Sequence, residues 1–96
     1  AVPVSFYVHG NWPNPFNATT VIGFDIPRAL PLYLTVYDVL GRQVRHLHAG
    51  ETLAAGSHRT IWDGRDDQNR PAGSGIYVYR IRGDGIVAGG RMTLVR

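Results

Sequence analysis

The polar run WDGRDDQNRPAGSGIYVY, from Trp62 to Tyr79, gathers Asp63, Asp66, Asp67 and Asn69 within a few residues of one another. Oxygen ligands at that spacing raise the question of calcium. The order argues against it: Arg65 stands where a calcium loop wants oxygen, and the run does not follow the EF-hand pattern. An aspartate followed by glycine, as in Asp63-Gly64, is accounted for by a carboxylate that accepts amide hydrogens from its own turn. His46 and His48 are expected on the same side of a strand, with His58 on a neighbouring one, which makes a metal site conceivable. Three imidazoles without an accompanying carboxylate pattern read instead as surface or satisfied polar groups, so no metal is expected. His9, in the first loop, suggests nothing further.

Other chemistry finds less support. Hydrolysis by paired carboxylates needs two acids held firmly across a cleft, and most acids here fall in turns. Ser5, Ser57 and Ser74 lack a G-x-S-x-G setting, and the glycines of PAGSG precede a strand instead of opening a helix, so neither a serine triad nor a phosphate cradle is indicated. No catalytic residue and no cofactor is expected. Tyr7, Trp12, Tyr33 and Tyr37 would make a platform for sugar rings if they shared one face. Aromatics in a disulfide-free domain more often sit in the core or at its edge, with polar atoms reaching a backbone partner.

The bulk numbers bound the rest. Ninety-six residues make one domain, 1–96, with a single core. The net charge of +3 comes from arginine alone, with no lysine, and the arginines are spread from Arg28 to Arg96. Nucleic-acid binding asks for a basic stripe interleaved with aromatics, so a solvated surface is the better reading. There is no cysteine, which removes disulfides, thiolate metal sites and thiol nucleophiles together. The N-terminal stretch AVPVSFYV has neither a basic start nor an apolar run long enough for a signal peptide or membrane span, and an excised piece of a longer polypeptide is expected.

What must position these residues is a set of short strands. Ser5 to Val8 is expected as the first, followed by a rigid loop, HGNWPNPFNATT, anchored by Trp12 and Phe16. Thr20, Ile22, Phe24 and Ile26 alternate with Val21, Gly23 and Asp25, the pattern of a half-buried strand. Pro27 and Pro31 bracket a turn. Leu32, Leu34 and Val36 face one way and Tyr33, Thr35 and Tyr37 the other. DVLGR, 38–42, reverses the chain into a strand over Val44 to Leu47, and Gly50 and Gly56 frame another loop. His58, Thr60 and Trp62 share a face. Tyr77, Tyr79 and Ile81 point inward, opposite Ile76, Val78, Arg80 and Arg82; Gly83-Asp84-Gly85 is a hairpin turn; and Ile86 to Val95 brings Met92 and Leu94 inward, with Gly89-Gly90 marking a bulge or bend. About seven strands with no helical period indicate an all-β, immunoglobulin-like antiparallel sandwich, with a small closed barrel as the other candidate.

The segments NWPNPFNATT, LTVYDVLGRQV, AAGSHRTIWDGRD, GSGIYVYRI and the terminal RMTLVR resemble, in this order, the C-terminal sorting domain of proteins exported by the type IX secretion system. The same pattern resembles the immunoglobulin-like domain of the flagellar hook-capping protein. The motif residues are Asn14, Pro15, Phe16, Asp38, Gly41, Trp62, Asp63 and Gly64. The resemblance implies a non-catalytic, monomeric domain at the end of a secreted bacterial protein, transiting the periplasm to the cell surface and lying peripheral to the outer membrane. Its implied partners are the translocon, a sortase-like peptidase and the N-terminal cargo of its own chain. Gly75 and Tyr77 match the family's G-x-Y element, and Arg91, Met92 and Arg96 fall in its terminal strand, where recognition is implied. Trp12, Ala18 and Arg91 stand where relatives often carry tyrosine, proline and lysine. RMTLVR at the end of the chain suggests a strand whose main chain is open to strand addition. Alternatives from other classes are a carbohydrate-binding module tethering a hydrolase and a passive assembly scaffold.

Overall fold

The computed structural model describes residues 5–96, so the first half of AVPVSFYV lies outside the described residues. Seven strands follow one another: β1 (Tyr7–Trp12), β2 (Thr20–Ile26), β3 (Leu30–Asp38), β4 (Gln43–Leu53), β5 (Gly56–Trp62), β6 (Gly75–Gly83) and β7 (Ile86–Leu94). They form two antiparallel sheets, β1-β2-β5 and β4-β3-β6-β7. Two open sheets face to face make an immunoglobulin-like sandwich, and the closed barrel falls away.

Alternation builds the core. Ile22, Phe24 and Ile26 from β2, Leu32, Leu34 and Val36 from β3, Tyr77, Tyr79 and Ile81 from β6 and Met92 and Leu94 from β7 are buried together with Phe16 and Trp62. Each such side chain contributes about 1.5–3 kcal/mol by leaving water. Phe16 and Tyr77 flank Trp62 with ring centroids 5.6 and 5.2 Å away. No disulfide joins the sheets, and this aromatic cluster fills the space between them at one end. The Trp62 indole donates to the Arg65 carbonyl at 3.0 Å, so its polar atom is satisfied. Thr20, also buried, donates to the Pro13 carbonyl and accepts from the Asn11 amide.

Several boundaries differ from those the sequence suggests, each for a local reason. β1 runs on through HGNW because a bulge between Val8 and Gly10, with Gly10 at φ 102°, lets pairing with β2 resume. Pro31 lies inside β3, paired with Thr52 of β4, at a point where β6 has not yet begun to pair on the other side. Gly50 lies inside β4 instead of framing a loop, beneath the Tyr33 ring, where a β-carbon would come 2.8 Å from the Tyr33 hydroxyl oxygen. The β6–β7 ladder runs from Gly75↔Leu94 to Gly83↔Ile86 with no register shift, so Gly89-Gly90 marks no bulge. The pair is there for close approach: a β-carbon on Gly89 would sit 2.1 Å from the Tyr79 carbonyl oxygen. Asp84 and Gly85, at φ 50° and 78°, close that hairpin with the two positive φ angles a tight reversal needs.

Candidate functional site

The motif residues scattered along the chain meet at one end of the sandwich. Asn14 donates from Nδ2 to the Arg91 carbonyl at 3.2 Å and accepts the Thr93 amide at Oδ1 at 3.0 Å. Phe16 donates its amide to the Thr93 carbonyl, and the Val95 amide donates to the Phe16 carbonyl. The NPF segment therefore lies along the outer edge of β7 over residues 91–95. The terminal stretch is not an open edge, contrary to expectation, because a loop seventy-odd residues upstream has already taken its main-chain groups. Arg96 then turns back across the end of the domain. Its amide donates to Ser74 Oγ at 2.9 Å, Nε to the Ala72 carbonyl at 2.6 Å and Nη2 to the Gly64 carbonyl at 2.7 Å. One planar guanidinium thus fastens the turn after β5 to the segment before β6, a geometry a lysine ammonium cannot reproduce.

Of the residues the sequence puts forward for recognition, Gly75, Arg91 and Arg96 are exposed. Tyr77 and Met92 are core side chains, Met92 with 0% exposure, so in the folded domain they present no surface of consequence to a partner. Tyr77 donates its hydroxyl to the Gly73 carbonyl at 2.7 Å, and burial pushes its pKa up.

The aspartates of the polar run are engaged by protein donors. Asp63 Oδ1 accepts the Arg65 amide and an Arg45 guanidinium hydrogen. Asp67 accepts the His46 amide at Oδ1 and faces His46 Nδ1 at 2.7 Å with Oδ2, while its own amide donates to the Val44 carbonyl. Asp66 builds a turn that has a twin. Its Oδ1 accepts the amides of Gln68 and Arg70, its Oδ2 accepts Arg70 Nε, its amide donates to the Arg70 carbonyl, and Asn69 takes φ 64°. Asp38 does the same with Leu40 and Arg42 around Gly41 at φ 82°. DVLGR and DDQNR are thus one five-residue clasp used twice, D-x-x-[G/N]-R, on the two sides of a surface hollow lined by Arg42, Gln43, Val44, Asp67 and Arg70. The amide of Arg70 holds the Asp66 carboxyl below its ordinary value against the opposing effect of burial. At Asp38 burial pushes up, and the Arg42 amide and guanidinium together with the Leu40 amide outweigh it. The repeat was hidden in the sequence because asparagine replaces glycine at the left-handed position of the second copy.

The histidines do not converge. β4 carries a bulge at Leu47, where Leu34 pairs with His48 and Thr35 with His46. One extra residue sends the two side chains to opposite faces, which corrects the expectation of a shared side. His46 meets Asp67, His48 lies 2.9 Å from Glu51 Oε2 and 2.8 Å from Thr60 Oγ1, and His58 stacks on Phe24 and bonds the Ala54 carbonyl through Nε2. Among the described residues, no three histidines or acids come together as a ligand set. A serine, an aspartate and a histidine do meet on the outer face of the β1-β2-β5 sheet: Ser57 Oγ donates to Asp25 Oδ1 at 2.7 Å, and His9 Nε2 lies 2.9 Å from the same oxygen. The order is wrong for nucleophile activation, since the carboxylate sits between the hydroxyl and the imidazole instead of behind the imidazole. The His9 and Ser57 bonds hold Asp25 below its ordinary pKa, which makes it a poor base. The four aromatics weighed as a sugar platform are divided, Tyr7 and Trp12 on β1 of one sheet and Tyr33 and Tyr37 on β3 of the other.

Comparison with known proteins bears on the same elements. Residues 12–85 match the model of the family described as the FlgD Ig-like domain. A chain in the crystal structure of dimeric latent PorU from Porphyromonas gingivalis shares the fold at TM-score 0.78 and 20% identity, covering 94% of this chain and 9% of that one. FlgD from P. aeruginosa superposes at TM-score 0.62 with 28% identity, over 78% of this chain and 58% of that one. PorZ, a surface component of the type-IX secretion system of Porphyromonas gingivalis, does so at TM-score 0.62 and 16% identity, over 95% of this chain and 11% of that one. The chain thus spans about a tenth of the PorU and PorZ chains and somewhat more than half of FlgD. No curated protein sequence matches it.

Proposed function

The chain belongs to the FlgD Ig-like domain family, and on that footing we propose that it is a non-catalytic sorting and attachment domain, which directs a secreted bacterial protein through the outer membrane by the type IX secretion system to the cell surface. The observation that carries this reading is the convergence at one end of the sandwich. N-P-F-N, W-D-G, G-x-Y and the terminal strand are far apart in the chain and are tied to one another by the hydrogen bonds of Asn14 and Arg96 and by the packing of Trp62 between Phe16 and Tyr77. An address built in this way is a folded surface, legible to a partner only once the whole domain has formed. The fold shared with PorU and PorZ supports the same reading.

In this proposal the exposed members, Gly75, Arg91 and Arg96, face the translocon, and Tyr77 and Met92 hold the strands that present them. The sortase-like peptidase and the N-terminal cargo are the other partners, and any enzymatic activity belongs to them. A reporter fused ahead of this chain and expressed in a host with the type IX machinery should appear on the cell surface. Retention of a folded, protease-resistant fusion in the periplasm would overturn the reading. The 28% identity to FlgD favours a second reading, a scaffold domain in an assembly. It predicts no surface delivery, and association with a partner protein instead.

A further inference from the structure

The outer face of the β4-β3-β6-β7 sheet carries arginines to which no carboxylate of the described residues is bonded. Pairing sets three rows across it: Tyr37, Val78 and Arg91; Thr35, Arg80 and Gly89; Tyr33, Arg82 and Val87. Among the described residues Arg80, Arg82 and Arg91 form no ion pair, and Arg82 lies over the Tyr33 ring at 4.9 Å. One carboxylate, Asp38, lines the groove beside them, with both oxygens occupied by its own turn. A shallow groove of about 750 Å³ runs between these side chains, lined by Tyr37, Val39, Val78, Arg80, Val87 and Arg91. Val87 and Val78 are 60% and 40% exposed on it.

The groove reaches the border of the sheet, since β7 is an end strand. Over 91–95 that border is closed by Asn14 and Phe16. The Thr93 amide and carbonyl point outward, so by strand alternation those of Val87 and Gly89 do too. Among the described residues nothing bonds them. Over 86–90 the described residues give β7 no second pairing partner, and β1 comes near it without joining its ladder, which leaves unpaired main-chain groups beside the groove.

We infer that this half-edge and groove form a docking site for an extended, acidic segment of another polypeptide, which adds to β7 alongside 86–90 as a further strand. Main-chain bonds to Val87 and Gly89 supply the pairing. Apolar side chains of the segment cover Val87 and Val78. Its carboxylates meet Arg91, and they reach Arg80 across Gly89, where the missing side chain leaves the path open. A polypeptide fits better than a single-stranded nucleic acid, because the groove offers valines and unpaired strand groups, while of the two tyrosines on this face Tyr33 is covered by Arg82 and Tyr37 is only partly exposed. The site does not depend on the sorting role, and its test is independent of delivery.

The 96-residue chain is titrated into a fluorescein-labelled peptide, roughly eight residues long to match a typical strand, in which Glu and Val take turns at every second position with Thr between them, so that both fall on one face, with the Lys-Val counterpart and oligo-dT of equal length in parallel. Saturable binding of the Glu-Val peptide is expected, with amide shifts at Val87 and Gly89. Replacing both Arg80→Gln and Arg91→Gln, which removes charge from solvent-facing positions, should weaken it about tenfold. An unfolded double variant would be replaced by Val87→Pro, which removes one outward donor and leaves the charges. Equal binding of Lys-Val, tighter binding of oligo-dT, shifts confined to other strands, or no binding each overturns the proposal.

Discussion

Arg96 Nη2 donates to the Gly64 carbonyl at 2.7 Å, so the last side chain of the chain closes the turn that follows Trp62. The same guanidinium holds the Ala72 carbonyl. A charged terminal residue is therefore part of the fold as well as of the surface. Arg96→Ala should lower stability by about 1–2 kcal/mol through lost charge-assisted hydrogen bonds, and Arg96→Lys should recover little, because an ammonium cannot serve both carbonyls from one plane. Urea unfolding of the three proteins reads this directly. Equal midpoints would mean that the clamp contributes nothing in solution. The result also matters for tests of the proposed sorting role, since any charge reversal at Arg96 also removes these two bonds from the fold.

The inward faces were legible because alternation has a period of two. Ile22, Phe24 and Ile26, then Tyr77, Tyr79 and Ile81, then Met92 and Leu94, are buried as the pattern requires. What defeats the pattern is a single inserted residue. The bulge at Leu47 separates His46 from His48, and no local signal marks it, since bulges answer to the partner strand as much as to their own sequence. Contacts between distant segments are equally silent. Asn14 reads as a turn residue in an N-P loop, and nothing near it announces Arg91 and Thr93 as its partners. The candidate site was therefore legible as a set of motifs, but not as a place.

The paired turns at Asp38 and Asp66 allow a substitution to be read across from one to the other. Gly41 takes φ 82° with open space where a β-carbon would go, and Asn69 holds φ 64° in the matching position. Gly41→Ala should cost about 1 kcal/mol, all of it backbone strain in the left-handed region. Gly41→Asn should be close to neutral, because asparagine tolerates that conformation and already occupies it in the twin. Thermal denaturation in parallel separates the two. If alanine and asparagine were equally costly, the turns would not be equivalent.

Acid should loosen the domain in a defined window. His48 beside Glu51, with the amides of Glu51 itself and Ala49, holds the Glu51 carboxyl at about 2, against an ordinary value of 4.5. A depressed folded-state pKa contributes stability that is complete above the unfolded value and is lost as pH falls toward the folded one, here from about 4.5 down to about 2. Asp25, Asp38, Asp66 and Asp67 are lowered too and act in the same sense. Glu51→Gln should flatten part of this acid limb and cost less than about 1 kcal/mol at neutral pH, because the side chain is half exposed and screened. Urea midpoints measured across the window for both proteins test it, and parallel curves would remove Glu51 from the account.

Gly89 and Gly90 should differ sharply when each is changed to alanine. On Gly89 the new β-carbon would lie 2.1 Å from the Tyr79 carbonyl oxygen and 3.1 Å from its carbon, both backbone atoms of the neighbouring strand. Neither can move without breaking the β6–β7 ladder, so Gly89→Ala should cost more than about 3 kcal/mol, beyond the usual range for overpacking. On Gly90 the obstacle is the Tyr79 ring, with the hydroxyl oxygen 2.6 Å away. A side chain can turn aside, although Tyr79 is buried and must disturb its neighbours to do so. Gly90→Ala should accordingly cost about 1–3 kcal/mol. Equilibrium unfolding ranks the two, and hydrogen exchange at the β6 and β7 amides locates the damage. If Gly90→Ala proved the worse, the tyrosine ring would be the rigid element, and the glycine pair would be there to hold that ring and not to seat one strand against the other.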